Sequence, residues 1–333
     1  MAGLSLLGQA HAIQRQGGAH DCVASPLAEK DQGVARNIID HVLAIHAALR
    51  QQADLRPGRP VDELLTSLVE RCVQIHDTAV VQEVLADPGL RAALPSLQSM
   101  CARAECCLEA HWADAIAQGT DADDVYRLLR SFPYYDNYER LARLELCALC
   151  SLGPMPTRVA FIGSGPLPLT SLCLLEALRG GGGGGVGAER RDDVGVLNID
   201  RDEPAIAASR RLAAKLGHRA RGTDFVCAEA GSDAVDLAPF DVVYLAALVG
   251  ASQAEKERLL IDVVRTMREG ALAVVRTSWG LRTCLYSQFD VTTKAVLRWL
   301  DVCLVLHPYG DIVNSVIVAR VKPSPDKPRP VEA

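Results

Sequence analysis

Hydrophobic positions divide the chain into two parts with different periods. Up to residue 150, apolar residues recur at spacings of three and four, and β-branched runs with period two are absent, which predicts helices. The predicted helices cover Asn37–Leu49, Val61–Ile75, Val80–Leu85 and Leu97–Ile116. We therefore expect an N-terminal α-helical bundle over residues 1–150, in which residues 1–30 have weak periodicity and are expected to be loose.

From residue 158 onward, short β-rich runs alternate with helical stretches. This alternation predicts right-handed crossovers and a mostly parallel sheet with helices on both faces. The last two runs are joined by a turn over 307–311 that is too short for a crossover helix, so the final strand should run antiparallel. The seven runs are Val159–Ile162, Gly195–Ile199, Phe225–Ala228, Asp241–Leu245, Leu272–Arg276, Val302–Leu306 and Val313–Val321.

This order of strands is typical of an α/β class I methyltransferase-like Rossmann domain with a seven-stranded sheet, predicted here over residues 151–321. Six consecutive glycines, Gly180 to Gly185, and the charged residues after them predict a flexible surface insertion over 180–193. The proline-rich residues 322–333 are expected to form a disordered tail.

Charge and cysteine content narrow the class of protein. The net charge is −6, which argues against a nucleic-acid or membrane-surface partner because both need a concentrated basic field. No run of about 18 apolar residues is present, so no membrane span is expected.

Eleven cysteines in a chain that opens without signal-peptide features predict reduced thiols in the cytoplasm. Cys101, Cys106 and Cys107 are expected in the core, no metal centre is expected, and a homodimer is left open.

The strongest local motif follows the first predicted strand, where Gly163, Ser164, Gly165 and Pro166 lead into a helix. Glycines allow the backbone to approach a ligand, and the helix N-terminus presents free N–H groups. Pro168 occupies the third glycine position of a dinucleotide fingerprint, which weakens a nicotinamide or flavin interpretation. The turn instead favours S-adenosylmethionine.

Side chains after three further strands support this ligand. Asp200 follows the second strand, where an acid commonly binds ribose hydroxyls, although a capping Asp at the surface would look the same. Glu229 follows the third strand, where an acid commonly meets the adenine amino group. After the fourth strand, Leu245, Ala246 and Ala247 would permit close ligand approach at the carboxyl edge of the sheet.

Two features of the helical half are candidates for chemistry. Glu105 and Glu109 are spaced i,i+4 and share a helix face, which can also be an ordinary solvated face. Residues 132–138 hold four aromatic side chains in a chain that is only 5% aromatic. This cluster could enclose a cationic sulfonium or place hydroxyl groups on a substrate, but it could equally be a packing plug between domains.

Several of these stretches together resemble the nicotianamine synthase family. The matching strings are collinear over roughly residues 95–321, and they are Phe132-Pro-Tyr-Tyr-Asp-Asn-Tyr138 with Arg143-Leu-Glu145, Val159 to Thr170, Asp241 to Gly250, Arg276-Thr-Ser-Trp-Gly-Leu-Arg282, and His307-Pro with Val313 to Arg320. The resemblance implies a helical bundle followed by a Rossmann-like domain of methyltransferase topology.

The resemblance also implies a reaction. The family condenses three S-adenosylmethionine molecules by aminocarboxypropyl transfer with closure of an azetidine ring, and it releases three 5′-methylthioadenosines. S-adenosylmethionine is then the substrate and no further cofactor is expected. The product, nicotianamine, chelates iron, zinc, copper and nickel.

Site roles follow from the same resemblance. A glutamate of the helical domain serves as the base in the family, and it corresponds to Glu109, or to Glu105 one turn earlier. The active-site tyrosine corresponds to Tyr135, or to its neighbour Tyr134. Arg143 and Arg282 are candidates to bind substrate carboxylates, which a guanidinium suits, although either could equally form a structural salt bridge. Asn137 is a further candidate for binding the substrate.

Two other interpretations remain open at this point. The first is an ordinary methyltransferase that uses S-adenosylmethionine and carries a helical lid over its substrate. The second is a protein that binds S-adenosylmethionine without turnover. The by-product discriminates among them, because methyl transfer releases S-adenosylhomocysteine whereas aminocarboxypropyl transfer releases methylthioadenosine.

Overall fold

The structure, a computed structural model, describes residues 26–180 and 193–324. The expectations for a loose N-terminus, a flexible insertion over 180–193 and a disordered tail over 322–333 therefore fall largely outside the described residues. Within them, no helix is both long and apolar enough to cross a membrane.

The described N-terminal part is helical, as its hydrophobic period predicts. Aspartates begin several helices, because a side-chain oxygen can accept a hydrogen bond from a free N–H of the first turn. Asp77 accepts from Ala79 at 3.0 Å and Asp121 from Asp124 at 2.9 Å. The helices are α1 Pro26–Leu49, α2 Arg59–Val73, α3 Thr78–Ala86, α4 Pro88–Ile116, α5 Ala122–Arg130 and α6 Tyr135–Leu152.

Helix α4 begins nine residues earlier than the sequence pattern predicts. Asp87 caps it by accepting the N–H of Leu90 at 2.8 Å, and Pro88 occupies the first turn, where its missing N–H is harmless. The helix also continues through Pro95, which the sequence analysis treated as lying before its start. The cap therefore decides where this helix begins.

The second part forms one seven-stranded sheet in the order β3-β2-β1-β4-β5-β7-β6. β1 to β5 are parallel, and β7 runs antiparallel to both β5 and β6. The α/β methyltransferase-like fold is thereby confirmed, with strand ends within two residues of those predicted. The strands are β1 Arg158–Ile162, β2 Gly195–Asp200, β3 Thr223–Cys227, β4 Val242–Leu245, β5 Leu272–Thr277, β6 Leu300–Leu306 and β7 Ser315–Val321.

Within the described residues, four α-helices accompany the sheet: α7 Leu169–Leu178, α8 Glu203–Leu216, α9 Gln253–Thr266 and α10 Lys294–Trp299. Side chains of the sheet contribute to two apolar clusters, because both faces of a parallel sheet are covered. One of these clusters also contains residues of α4, α5 and α6, so the helical part packs directly against the sheet. A boundary at residue 150 stays a prediction.

The expectation that Cys101, Cys106 and Cys107 all lie in the core is only partly correct. Cys101 is buried, whereas Cys107 is half-buried and Cys106 is exposed. The reason is helical geometry, since consecutive residues of α4 point in directions about 100° apart and cannot all face the same core.

Candidate active site

A cavity of about 410 Å³ lies at the carboxyl ends of the parallel strands. Its floor includes the turn after β1, where Gly163 and Ser164 donate their N–H groups to the carbonyl oxygen of Ile199 at 2.8 and 3.2 Å. The Gly165 N–H donates to the carboxylate of Asp200 at 2.9 Å. The turn and the end of β2 are thus fastened to each other.

Most residues expected to bind S-adenosylmethionine line this first cavity; they are Gly163, Ser164, Gly165, Asp200, Glu229, Ala246 and Ala247. Two expected residues, Pro166 and Leu245, do not line it. The Leu245 side chain is 1% exposed and packs in the core of the sheet, because it belongs to β4 itself rather than to the loop after it. Pro166 is likewise buried beside the turn.

A second cavity, of about 480 Å³, lies among the helices. Its walls are mainly apolar and aromatic, and they include Trp112 of α4 together with Phe132 and Tyr134 from the aromatic cluster of residues 132–138. The two cavities share four lining residues, Glu105, Glu109, Tyr138 and Asn314. Both candidate glutamates therefore stand where the two cavities meet.

The hydroxyl groups of two tyrosines contact the glutamates, and one of them, that of Tyr138, contacts both. Tyr138 donates to Glu109 at 3.1 Å and lies 3.4 Å from Glu105. Tyr286 donates to the other oxygen of Glu105 at 2.8 Å. Helix α4 places the two carboxyl groups one turn apart on the same face, as their i,i+4 spacing predicts.

Burial raises the pKa of both carboxyl groups. For Glu105, hydrogen bonds from Tyr286 and Tyr138 oppose this rise by stabilising the charged form. For Glu109, the negative charge of Glu105 adds to burial, and the pKa is well above that of an ordinary glutamate. Both carboxyl groups are thus more basic than an ordinary glutamate.

The carboxyl group of Glu109 also lies against the turn after β1. A Cβ atom on Gly165 would lie 2.6 Å from Oε2 of Glu109, and Gly165 has a φ of +65°. No larger residue fits here without displacing the carboxyl group. The glycine is therefore required both by the backbone conformation and by the position of Glu109.

Tyr135 is not brought to either cavity, which corrects the sequence-based choice of tyrosine. Its side chain is 3% exposed, and the guanidinium of Arg130 lies 4.9 Å from its ring. Tyr138 reaches the glutamates instead, because residues three apart on a helix differ in direction by about 60°. The neighbouring candidate, Tyr134, lines the second cavity.

The fold places the three residues expected to bind the substrate in different surroundings, and two of them line neither cavity. Arg143 is exposed and pairs with Glu139 at 3.0 Å, away from both cavities. Arg282 is buried and donates to the carbonyl oxygens of Gly310 and Ile312 at 2.7 and 3.2 Å, so its observed contacts are structural. Asn137 alone lines a cavity, the second one.

A buried ion pair lies beside the first cavity. Arg276, which lines the cavity, makes two hydrogen bonds to Glu145 at 2.8 and 3.0 Å and a third to Thr170 at 3.0 Å. Both Arg276 and Glu145 are almost completely buried. Their pairing joins α6 of the helical part to β5 of the sheet.

Tyr138, Tyr286, Arg276 and Glu145 are not among the individual site residues expected from the sequence. Tyr138 belongs to the aromatic cluster of residues 132–138, and it stands with Glu145 and Arg276 in strings that carry the family resemblance, so these three had a signal in the sequence. Tyr286 lies outside those strings and meets Glu105 across a separation of 181 residues. No local pattern could have indicated that contact.

Known proteins match this chain over most of its length. Residues 30–325 match the family model described as nicotianamine synthase protein. Nicotianamine synthase 2 of Oryza sativa subsp. japonica is 37% identical over 288 residues, which cover 85% of this chain and 82% of the rice protein. Nicotianamine synthase 9 of Hordeum vulgare is 34% identical over 286 residues, with 85% and 78% covered.

Solved structures give the same fold. A crystal structure of a point mutant of MtNAS in complex with S-adenosylmethionine matches with a TM-score of 0.69 at 23% identity, covering 86% of this chain and 98% of that one. MtNAS in complex with MTA and tNA matches with a TM-score of 0.66 at 22% identity, covering 90% and 100%. With the family model spanning most of the sequence, the chain belongs to the nicotianamine synthase family.

Proposed function

We propose that this protein condenses three S-adenosylmethionine molecules into nicotianamine and releases three methylthioadenosines. The observation that carries this proposal is the pair of carboxyl groups, Glu105 and Glu109, at the junction of two cavities. Methyl transfer to an outside acceptor does not require such a pair. The names of the rice and barley relatives support the same reaction.

The first cavity is proposed to hold the S-adenosylmethionine that donates its aminocarboxypropyl group. Asp200 would accept hydrogen bonds from ribose hydroxyls, and Glu229 from the adenine amino group. The turn from Gly163 to Gly165 would approach the ligand with its backbone. The solved complex of MtNAS with S-adenosylmethionine, which shares the fold, supports this assignment.

The transfer itself forms one bond and breaks one. A neutral amine nitrogen of the acceptor attacks the γ-carbon of the donor, and the γ-carbon to sulfur bond breaks. Its electron pair stays on sulfur and gives the neutral thioether of methylthioadenosine. The proton leaving the amine goes to Glu109. Because the sulfonium is already a good leaving group, the protein supplies orientation and the base.

Tyr138 and Tyr286 are proposed to hold the base system in place. Burial raises the pKa of both phenols well above the ordinary value, so each keeps its proton and donates to a carboxylate. Tyr286 donates to Glu105 and Tyr138 donates to Glu109, so each carboxylate has one phenol donor. The negative charge of Glu105 attracts the cationic acceptor and strengthens Glu109 as a base.

The second cavity is proposed to hold the acceptor. Tyr134 and Asn137 line it, and aromatic rings there can contact apolar or cationic parts of the growing product. Because Glu109 faces both cavities, an acceptor amine in the second cavity would meet the donor at the junction. Ring closure needs the same base and an amine within the bound molecule. A cytoplasmic location belongs to the same proposal, because eleven cysteines favour a compartment that keeps thiols reduced.

Incubation of the purified protein with S-adenosylmethionine alone, followed by mass spectrometry, tests the proposal. We expect methylthioadenosine and nicotianamine. S-adenosylhomocysteine as the by-product would overturn the proposal in favour of a methyltransferase. Binding of S-adenosylmethionine without any by-product would overturn it in favour of a binding protein.

A further inference from the structure

A buried lysine outside the glutamate pair contacts the wall of the first cavity. Lys256 lies in the first turn of α9, and only 1% of its surface is exposed. Lysines are almost never fully buried unless they are paired with an acid. Among the described residues, no carboxylate forms an ion pair with Lys256. Its position therefore needs another explanation.

The amine of Lys256 instead donates to two backbone carbonyl groups. It lies 3.1 Å from the oxygen of Ala246 and 2.9 Å from that of Ala247. Both residues line the first cavity at the end of β4. A neutral amine has two N–H groups, which matches two acceptors. Burial lowers the pKa of Lys256 to about 7, which is consistent with a substantial neutral fraction.

Lys256 holds the segment of residues 246–250, and protein encloses this segment on two further sides. A Cβ atom on Gly163 would lie 2.4 Å from Cγ2 of Val249, so this segment packs directly on the turn after β1. Gly250, with a φ of +81°, passes so close to Lys256 that a Cβ would lie 2.7 Å from the lysine Cα. The segment thus lies between the glycine turn and the start of α9.

We propose that Lys256 is a positioning residue for the donor, which acts by fixing the carbonyl groups of Ala246 and Ala247 so that residues 246–250 form a rigid wall of the first cavity. The inference rests on the proposed function, since the ligand of this cavity is taken to be S-adenosylmethionine. Without the lysine amine, the Ala246 carbonyl would keep only the N–H of Val249, at 3.2 Å, and the segment would be held less firmly. The donor would then have to order the wall when it binds, which costs affinity.

Two variants of the full-length protein test the role. Both variants shorten the side chain by one atom and remove its charge. Lys256→Met also removes the N–H donors, whereas Lys256→Gln keeps two of them. Lys215→Met, at an exposed position of α8, is the matched control. S-adenosylmethionine binding is measured by calorimetry, and kcat and KM from methylthioadenosine release. The melting temperature is measured without ligand.

We expect Lys256→Met to raise the Kd and the KM for S-adenosylmethionine about tenfold, with a smaller change in kcat, since one or two hydrogen bonds are lost. Lys256→Gln should recover part of this loss, and Lys215→Met should match the wild type. A folded Lys256→Met with unchanged Kd, or one that changes only the melting temperature, would overturn the inference. If Lys256→Met does not fold, an unchanged Kd of Lys256→Gln for S-adenosylmethionine would also overturn the inference.

These outcomes are separate from failure of the proposed function. If the wild-type protein does not bind S-adenosylmethionine at all, both the proposed function and the inference fall. If it binds the compound but releases no methylthioadenosine, the proposed reaction is wrong, while the binding arm of the lysine test still decides the inference.

Discussion

Two groups of charged side chains near the first cavity differ in the partners that stabilise their charges. Glu145 is held by a guanidinium in a two-pronged pair with Arg276, while Glu105 and Glu109 share tyrosine hydroxyl groups and form no ion pair among the described residues. Burial alone would lower the pKa of Arg276, but the Glu145 charge reverses this effect and raises it. For Glu109, burial and a neighbouring negative charge act in the same direction.

The difference in compensation suits the two clusters to different tasks. Because Glu145 has a charge partner, its ion pair stabilises the contact between α6 and β5 but is poorly suited to exchanging a proton. Glu105 and Glu109 have hydrogen-bond donors but no ion-pair partner among the described residues, and this electrostatic strain makes them more basic and costs stability. Perturbed carboxyl groups that line a cavity are typical of catalytic sites.

Removing the base should have the largest effect. Glu109→Gln is expected to lower kcat for methylthioadenosine release by about 10³-fold, because a general base contributes on this order. S-adenosylmethionine binding, measured by calorimetry, should change little. Glu105→Gln is the comparison variant, and a larger fall there would exchange the roles of the two glutamates. Wild-type turnover by Glu109→Gln would contradict the assignment.

Breaking the ion pair should act on stability instead. Glu145→Gln leaves the Arg276 guanidinium buried and without its charge partner, and we expect a loss of about 3–5 kcal/mol in the free energy of unfolding, measured by urea denaturation. A double variant, Glu145→Met with Arg276→Leu, should recover much of that stability because neither charge remains. A double variant no more stable than the single one would show that the geometry of the pair, rather than its charge, is essential.

Removing the hydroxyl group of Tyr138 should have a smaller effect, and Tyr135 on the same helix provides a matched control. Tyr138→Phe removes the hydroxyl that contacts both glutamates, and we expect kcat to fall about tenfold, as for loss of one hydrogen bond to a charged group. Tyr135→Phe, on the same helix but away from both cavities, should leave kcat near the wild-type value. If Tyr135→Phe lowers kcat as much as Tyr138→Phe, the sequence-based choice was right after all.

The smallest expected effect is a gain in stability. The pKa of Glu109 is raised in the folded state, so its protonated form stabilises the fold, and this contribution is lost as pH rises through the raised pKa. Glu109→Gln mimics the protonated form. We expect it to be more stable than the wild type by about 1 kcal/mol at pH 8, and equally stable at pH 4. A variant less stable at pH 8 would refute the idea of stored strain.

Much of the fold could be predicted because its signals are local. The change of hydrophobic period at residue 158 and the short turn before β7 give seven strands with the last antiparallel, and the sheet confirms this. The start of α4 was missed because the cap at Asp87 contributes more to the helix boundary than apolar periodicity does. Leu245 lies in the core of the sheet and Ala246 lines the first cavity, although the two residues are adjacent in sequence.

The sequence by itself determined the class of fold, the glycine turn and the shared face of Glu105 and Glu109, since each depends on neighbours within a few positions. Only the tertiary structure decided which tyrosine meets the glutamates, that Arg282 binds backbone carbonyls, and that Arg276 pairs with Glu145. These contacts join residues far apart in the chain. They depend on how α4, α6 and the sheet pack together, and no local pattern encodes that packing.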